Sequence, residues 1–124
     1  MAGMRVLVTG GRKFYDKELV YKMLDSIHAS FGISVLIHGG ATGADQLGMN
    51  WAKSRGVHPI SYEALWTHLG KAAGAERNRF MLEDSRAGLV IAFPGNEGTR
   101  DMISVAHAAK VEVIGVGFDA GVPL

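Results

Sequence analysis

The chain has 124 residues, 48% of them hydrophobic and 20% charged, a size that suits one domain spanning residues 1–124 with a real core and leaves no room for two. Thirteen Lys and Arg against 12 Asp and Glu leave a net charge of +1, so no broad basic face gathers a polyanion and nucleic acid is not an expected partner. With no cysteine, disulfides, thiolate catalysis and Cys-ligated zinc are excluded, and with no long apolar run and no signal-peptide pattern in Met1–Thr9 a cytoplasmic protein without membrane contact is expected.

Met4 to Thr9 is short, β-branched and halted by Gly10-Gly11, which predicts a buried strand feeding a tight turn. A helix follows from about Asp16, its N-cap, to Phe31, with Leu19, Val20, Met23, Leu24, Ile27 and Phe31 along one face. Ile33 to His38 predicts a second strand and Thr42 to Arg55 a second helix, stopped by Gly56. Val57 to Tyr62 predicts the third strand, and Glu63 to Gly74 an irregular loop. A short helix from Ala75 to about Asp84, a strand from Leu89 to Phe93, a turn over Pro94–Thr99, a helix to about Lys110 and a strand from Val111 to Val116 complete the chain. Continuous apolar strands alternating with amphipathic helices predict a Rossmann-like, doubly wound parallel α/β sheet of five strands, order 3-2-1-4-5, with helices on both faces. The winding reverses between strands 1 and 4, and ligands of such sheets bind beyond the strands' carboxyl ends at that reversal.

Glycine is the compositional outlier, 17 residues, about twice the usual share of ~7%. Three glycine turns fall at the same edge of the expected sheet: Thr9-Gly10-Gly11-Arg12 after strand 1, Gly39-Gly40-Ala41-Thr42-Gly43-Ala44-Asp45 after strand 2, and Pro94-Gly95-Asn96-Glu97-Gly98-Thr99 after strand 4. Glycine permits close backbone approach, and the helices that follow present unpaired N–H groups, a combination that suits a phosphate. None of the turns matches G-x-G-x-x-G or the Walker pattern, which argues against a standard dinucleotide dehydrogenase or NTP hydrolase. Asp45 and Asp101 fall in first turns of helices, where a carboxylate caps or meets a ribose hydroxyl rather than a phosphate.

In sum, Val8-Thr9-Gly10-Gly11-Arg12, His38-Gly39-Gly40-Ala41-Thr42-Gly43-Ala44-Asp45, Gly70-Lys71 with Arg77-Asn78, and Phe93-Pro94-Gly95 with Gly98-Thr99 and Asp101-Met102 resemble the SLOG superfamily, which joins the Smf/DprA and LOG proteins, and within it the YspA-like branch of bacterial and phage domains. The resemblance implies a Rossmann-like fold, a nucleotide-related ligand and self-association as a dimer or tetramer. For the LOG relatives it implies a phosphoribohydrolase that splits base from ribose 5′-monophosphate with a helical Arg and the Glu of P-G-G-x-G-T-x-x-E. Arg77 looks like that Arg, but Met102 stands at the Glu position and Asn96 at the second Gly of P-G-G. Cleavage through an oxocarbenium-like state would therefore need another acid, from Asp101, Asp45 or Glu97.

The residues expected around a phosphate and its sugar are Thr9, Gly10, Gly11, Arg12, Gly39, Gly40, Thr42, Gly43, Lys71, Asn78, Pro94, Gly95, Gly98 and Thr99. Arg12 would clamp the anion bidentately. Arg77 and Arg79, two residues apart, point to different faces of their helix, so at most one faces the pocket, and Arg77 is expected to be that one and Arg79 to lie at the surface; Lys71 and Trp66 could reach a ligand from the loop. The five histidines show no zinc spacing, so no metal and no cofactor are expected. The leading expectation is a ligand-sensing module for a nucleotide or nucleotide-derived phosphate. The alternative is a LOG-like hydrolase using Arg77 with Asp101 or Asp45. Single-stranded DNA binding is disfavoured by the charge.

Overall fold

The computed structural model describes residues 3–63 and 72–117, which form one five-stranded parallel sheet of order 3-2-1-4-5, as the alternation of the sequence predicts. In chain order the elements are β1 (Met4–Thr9), α1 (Lys17–Phe31), β2 (Ile33–His38), α2 (Ala44–Arg55), β3 (His58–Ser61), α3 (Ala72–Ser85), β4 (Leu89–Ala92), α4 (Glu97–Ala108) and β5 (Glu112–Gly115). β1 lies between β2 and β4, with Val6 opposite Leu36 on one side and Leu89 on the other.

The two-residue period of the strands sorts the core into two layers. Val6, Val8, Leu36, Leu89 and Ile91 face α1 and α2, where they meet Val20, Leu24, Ile27, Trp51 and Ala52. Leu7, Ile37 and Val90 face the other way, onto Met81 and Leu82 of α3 and Met102 and Ala106 of α4. Because both faces are covered, the central strands read as unbroken apolar runs.

The element ends follow local chemistry. Asp16 caps α1, its Oδ1 accepting from Leu19 N at 3.1 Å, and Gly56 closes α2 in the left-handed conformation, φ 70°. α2 starts at Ala44, two residues later than the pattern suggests, because Gly43 sits at φ 72° and lies outside the helix. β3 is shorter than expected and α3 longer, reaching back to Ala72, so the irregular stretch does not extend to Gly74. Trp66, His68, Gly70 and Lys71 lie outside the described residues. α1 and α2 are pinned together by Asp25, whose Oδ1 accepts from Trp51 Nε1 and from Arg55 Nε, both at 2.8 Å. Those bonds hold the Asp25 carboxyl at about 2, Arg55 contributing most. Among the described residues no helix is long and apolar enough to cross a membrane.

Candidate functional site

The turn after β2 carries three consecutive backbone N–H groups, and buried side chains engage all of them. Gly39 N and Ala41 N donate to Asp45 Oδ2 at 2.9 and 3.3 Å, and Gly40 N donates to His38 Nδ1 at 3.1 Å. Asp45, in the first turn of α2, is only 6% exposed. Burial pushes its carboxyl up to about 6, against the opposing pull of the two amides and of the Arg77 and Arg12 charges. Burial draws the His38 imidazole below its usual value, with the Lys53 and Arg77 charges acting in the same direction. Since Nδ1 accepts, the neutral ring carries its proton on Nε2. These amides thus answer to a carboxylate and an imidazole inside the protein instead of forming an outward-facing anion cradle.

The cationic wall of the site comes from α3. Arg77 Nη1 donates to Gly39 O and, at 3.0 Å, to Tyr62 O, while its Nε donates to Asn78 Oδ1 at 3.0 Å. A Cβ at Gly39 would overlap the guanidinium, so the close approach of Arg77 to the turn requires glycine there. Asn78, 3% exposed, passes the restraint on, its Nδ2 donating to Asp101 Oδ2 at 2.9 Å and to Gly98 O at 3.3 Å. Arg77 and Asn78 therefore tie the turns after β2 and β4 and the end of β3 to one helix. Burial lowers the Arg77 pKa, the Asp45 charge raises it and Arg12 lowers it. Arg79 faces outward and pairs with Glu76 at 3.0 Å.

A cavity of about 330 Å³ opens between these groups, lined by Gly39 to Thr42, Arg12, Glu63 and Arg77. Thr42 Oγ1 donates to Arg12 O at 3.0 Å, fastening the turn after β1 to the cavity's rim. Of the expected ligand residues, Arg12, Gly39, Gly40, Thr42 and Arg77 line the cavity, with Ala41 and Glu63 added. Glycine spacing and motif pattern do not mark Glu63. The signal for it was its position two residues past the last residue of β3, at the same carboxyl edge as the glycine turns.

The turns after β1 and β4 are closed on each other. Gly11 N donates to Pro94 O at 2.8 Å, Gly11 O accepts from Ala44 N at 3.1 Å, and Phe93 N donates to Thr9 O at 2.9 Å. Phe14 stacks on Phe93 with ring centroids 5.5 Å apart. A Cβ at Gly10 would stand 2.5 Å from Ala44 Cβ, and one at Gly95 would meet Thr99 Oγ1 and, at 2.7 Å, Gly11 N. The crevice expected at the winding reversal is therefore filled by backbone, and the cavity is displaced toward β2 and β3. Thr9, Gly10, Gly11, Gly43, Asp45, Asn78, Pro94, Gly95, Gly98, Thr99 and Asp101 build its surroundings but are not among its lining residues. Met102, at the LOG glutamate position, is fully buried in the second core layer. Lys71 lies outside the described residues. Among the described residues no group of three or more His, Asp or Glu could hold a metal ion.

Comparison with known proteins places the chain in a family. The family described as YspA, cpYpsA-related SLOG matches residues 4–68, more than half of the chain, from β1 through the cavity's turn to just past Glu63. The "Gene 61 protein" of Mycobacterium phage D29 is 39% identical to the chain, the alignment covering 91% of this chain and 96% of that protein. With the order of its strands, its glycine turns and this match over most of its length, the chain belongs to the YspA, cpYpsA-related SLOG family.

Proposed function

We propose that the chain binds a nucleotide or nucleotide-derived phosphate ligand in the cavity beside the β2 turn and acts as a ligand-sensing module. One observation carries the reading: two arginines, Arg12 and Arg77, line one void of about 330 Å³ at the carboxyl edge of a Rossmann-like sheet. Guanidinium groups bind phosphate oxygens through paired, charge-assisted hydrogen bonds. The volume lies at the small end of the ~300–1,000 Å³ range of small-molecule sites, which favours one nucleotide unit over a dinucleotide. Membership of the SLOG family is consistent with such a ligand.

Sensing is preferred to hydrolysis by Arg77 with Asp101 or Asp45 because those two carboxylates are engaged elsewhere: Asp101 accepts from Asn78, and Asp45 accepts from the turn amides with its side chain buried. The reading includes a cytoplasmic homo-oligomer, which light scattering tests for its oligomeric part.

Titration calorimetry with a panel of nucleoside mono-, di- and triphosphates is the direct test. At least one should bind, and Arg77→Ala should weaken it at least tenfold, since a charge-assisted pair is worth about 1.5–3 kcal/mol. Failure of every nucleotide to bind at millimolar concentration overturns the proposal. Release of free base or ribose phosphate by the wild type, absent in Arg77→Ala, replaces sensing with hydrolysis.

A further inference from the structure

Building on the nucleotide reading of the cavity, we infer that Glu63 accepts hydrogen bonds from the 2′- and 3′-hydroxyls of a ribose, so that the site selects ribonucleotides over 2′-deoxyribonucleotides. The observation is that Glu63 lines the same small void as Arg12 and Arg77, its carboxylate lying beside Gly40. An ionised carboxylate only accepts hydrogen bonds and repels phosphate. A ligand that satisfies this wall must therefore be anionic at one end and rich in O–H or N–H donors close by. In a nucleotide the sugar diol is the donor pair nearest the phosphate, and two adjacent hydroxyls match the two oxygens of one carboxylate.

The carboxylate whose charge raises the Arg77 pKa is Asp45, on the buried side of the turn. The backbone that leads into Glu63 is held at Tyr62. Tyr62 N donates to His38 O at 2.9 Å, Tyr62 O accepts from Arg77, and the Tyr62 hydroxyl donates to Asp84 Oδ2 at 2.6 Å. On the other side the Glu63 stem lies along Gly40, where an added Cβ would stand 3.3 Å from Glu63 Cγ and 3.0 Å from Ser61 Oγ. The bare backbone of Gly40 thus lets the carboxylate side chain lie against the turn that lines the cavity.

The test compares four ligands on the full chain by calorimetry: ribose 5-phosphate, 2-deoxyribose 5-phosphate, AMP and 2′-deoxy-AMP. The wild type should prefer the ribo form of each pair by about tenfold, the magnitude of one charge-assisted hydrogen bond. In Glu63→Ala, a change at an exposed position, the preference should fall to near one. A ribo preference that survives Glu63→Ala, or a wild type that binds both forms equally, overturns the inference while leaving nucleotide binding intact. GMP as a fifth probe decides between sugar and base: a preference for GMP over AMP that Glu63→Ala abolishes, with the ribo preference unchanged, assigns the carboxylate to the base and also overturns it. Binding of none of the five overturns the inference, and the nucleotide reading on which it rests falls with it when the wider nucleotide panel also fails to bind.

Discussion

The carboxyl edge of the sheet holds two glycine-rich regions that look alike in sequence and are used in opposite ways. Where the turns after β1 and β4 meet, the absence of side chains lets backbone lie on backbone: Gly11 donates to Pro94, Ala44 donates to Gly11, and Gly43 and Gly95 lie against the Gly10-Gly11 segment. Where the β2 turn faces the end of β3, the same absence admits an arginine, and a cavity remains beside it. A glycine turn is therefore not in itself a ligand site. What decides is whether the space left by the missing Cβ is filled by another part of the chain.

The largest effect that separates the two regions is expected from Gly43→Ala. Its φ of 72° and the collision of a Cβ with the Gly11 carbonyl combine backbone strain with overpacking, together about 3 kcal/mol or more. Gly40→Ala has a similar φ, 75°, but meets only side chains, Ser61 Oγ at 3.0 Å and Glu63 Cγ, of the cavity wall, at 3.3 Å. It should cost about 1–2 kcal/mol and act mainly on ligand affinity. Urea denaturation of both variants checks the contrast; equal losses would mean that the two regions are packed alike.

Asp45 provides a test in pH. Its folded carboxyl titrates at about 6 against an ordinary 3.8, so between those values the folded chain holds a proton that the unfolded chain has released. Stability from this group is therefore present at low pH and declines as pH rises through the window. Wild type should gain on Asp45→Asn by up to about 3 kcal/mol between pH 7 and pH 4. His38 runs the other way, its lowered pKa withdrawing stability as pH falls below 6.5, but both chains carry it and its share cancels in the difference. A flat difference between the two denaturation profiles would contradict the buried setting of Asp45.

The link from Arg77 to the β4 turn is open to a swap. Asn78→Ala should lower stability by about 2 kcal/mol by removing the donor to Asp101 and to the Gly98 carbonyl and the acceptor of Arg77 Nε. In Asn78→Asp the carboxylate still accepts from Arg77 but opposes Asp101. Adding Asp101→Asn reverses the pair, and the double variant should recover most of both stability and ligand affinity. Recovery of stability alone would make the link structural and without influence on the cavity. The smallest effect is expected on the far side of the molecule: Asp25→Ala removes the exposed pin between α1 and α2 for about 1 kcal/mol, and calorimetry should find ligand affinity unaltered.

Much of this organisation is legible in the sequence. Apolar strands alternating with amphipathic helices specify the sheet, its order and the two covered faces, because side-chain periods of 2 and 3.6 leave few ways to bury them. That Arg77 and Arg79 point to different faces follows from helical geometry in the same way, while the structure shows which of them turns inward. The destination of the turn amides does not follow from such patterns. Asp45 could cap the β2 turn or meet a ligand, and only its burial beneath Gly39 and Ala41 selects the first. Nor does the pattern say that the crevice between β1 and β4 is shut and that Glu63 joins the wall of the open one. Periodicity is a property of neighbouring residues, whereas the filling of a crevice depends on segments tens of residues apart meeting at van der Waals distance, and that is decided only when the sheet has assembled.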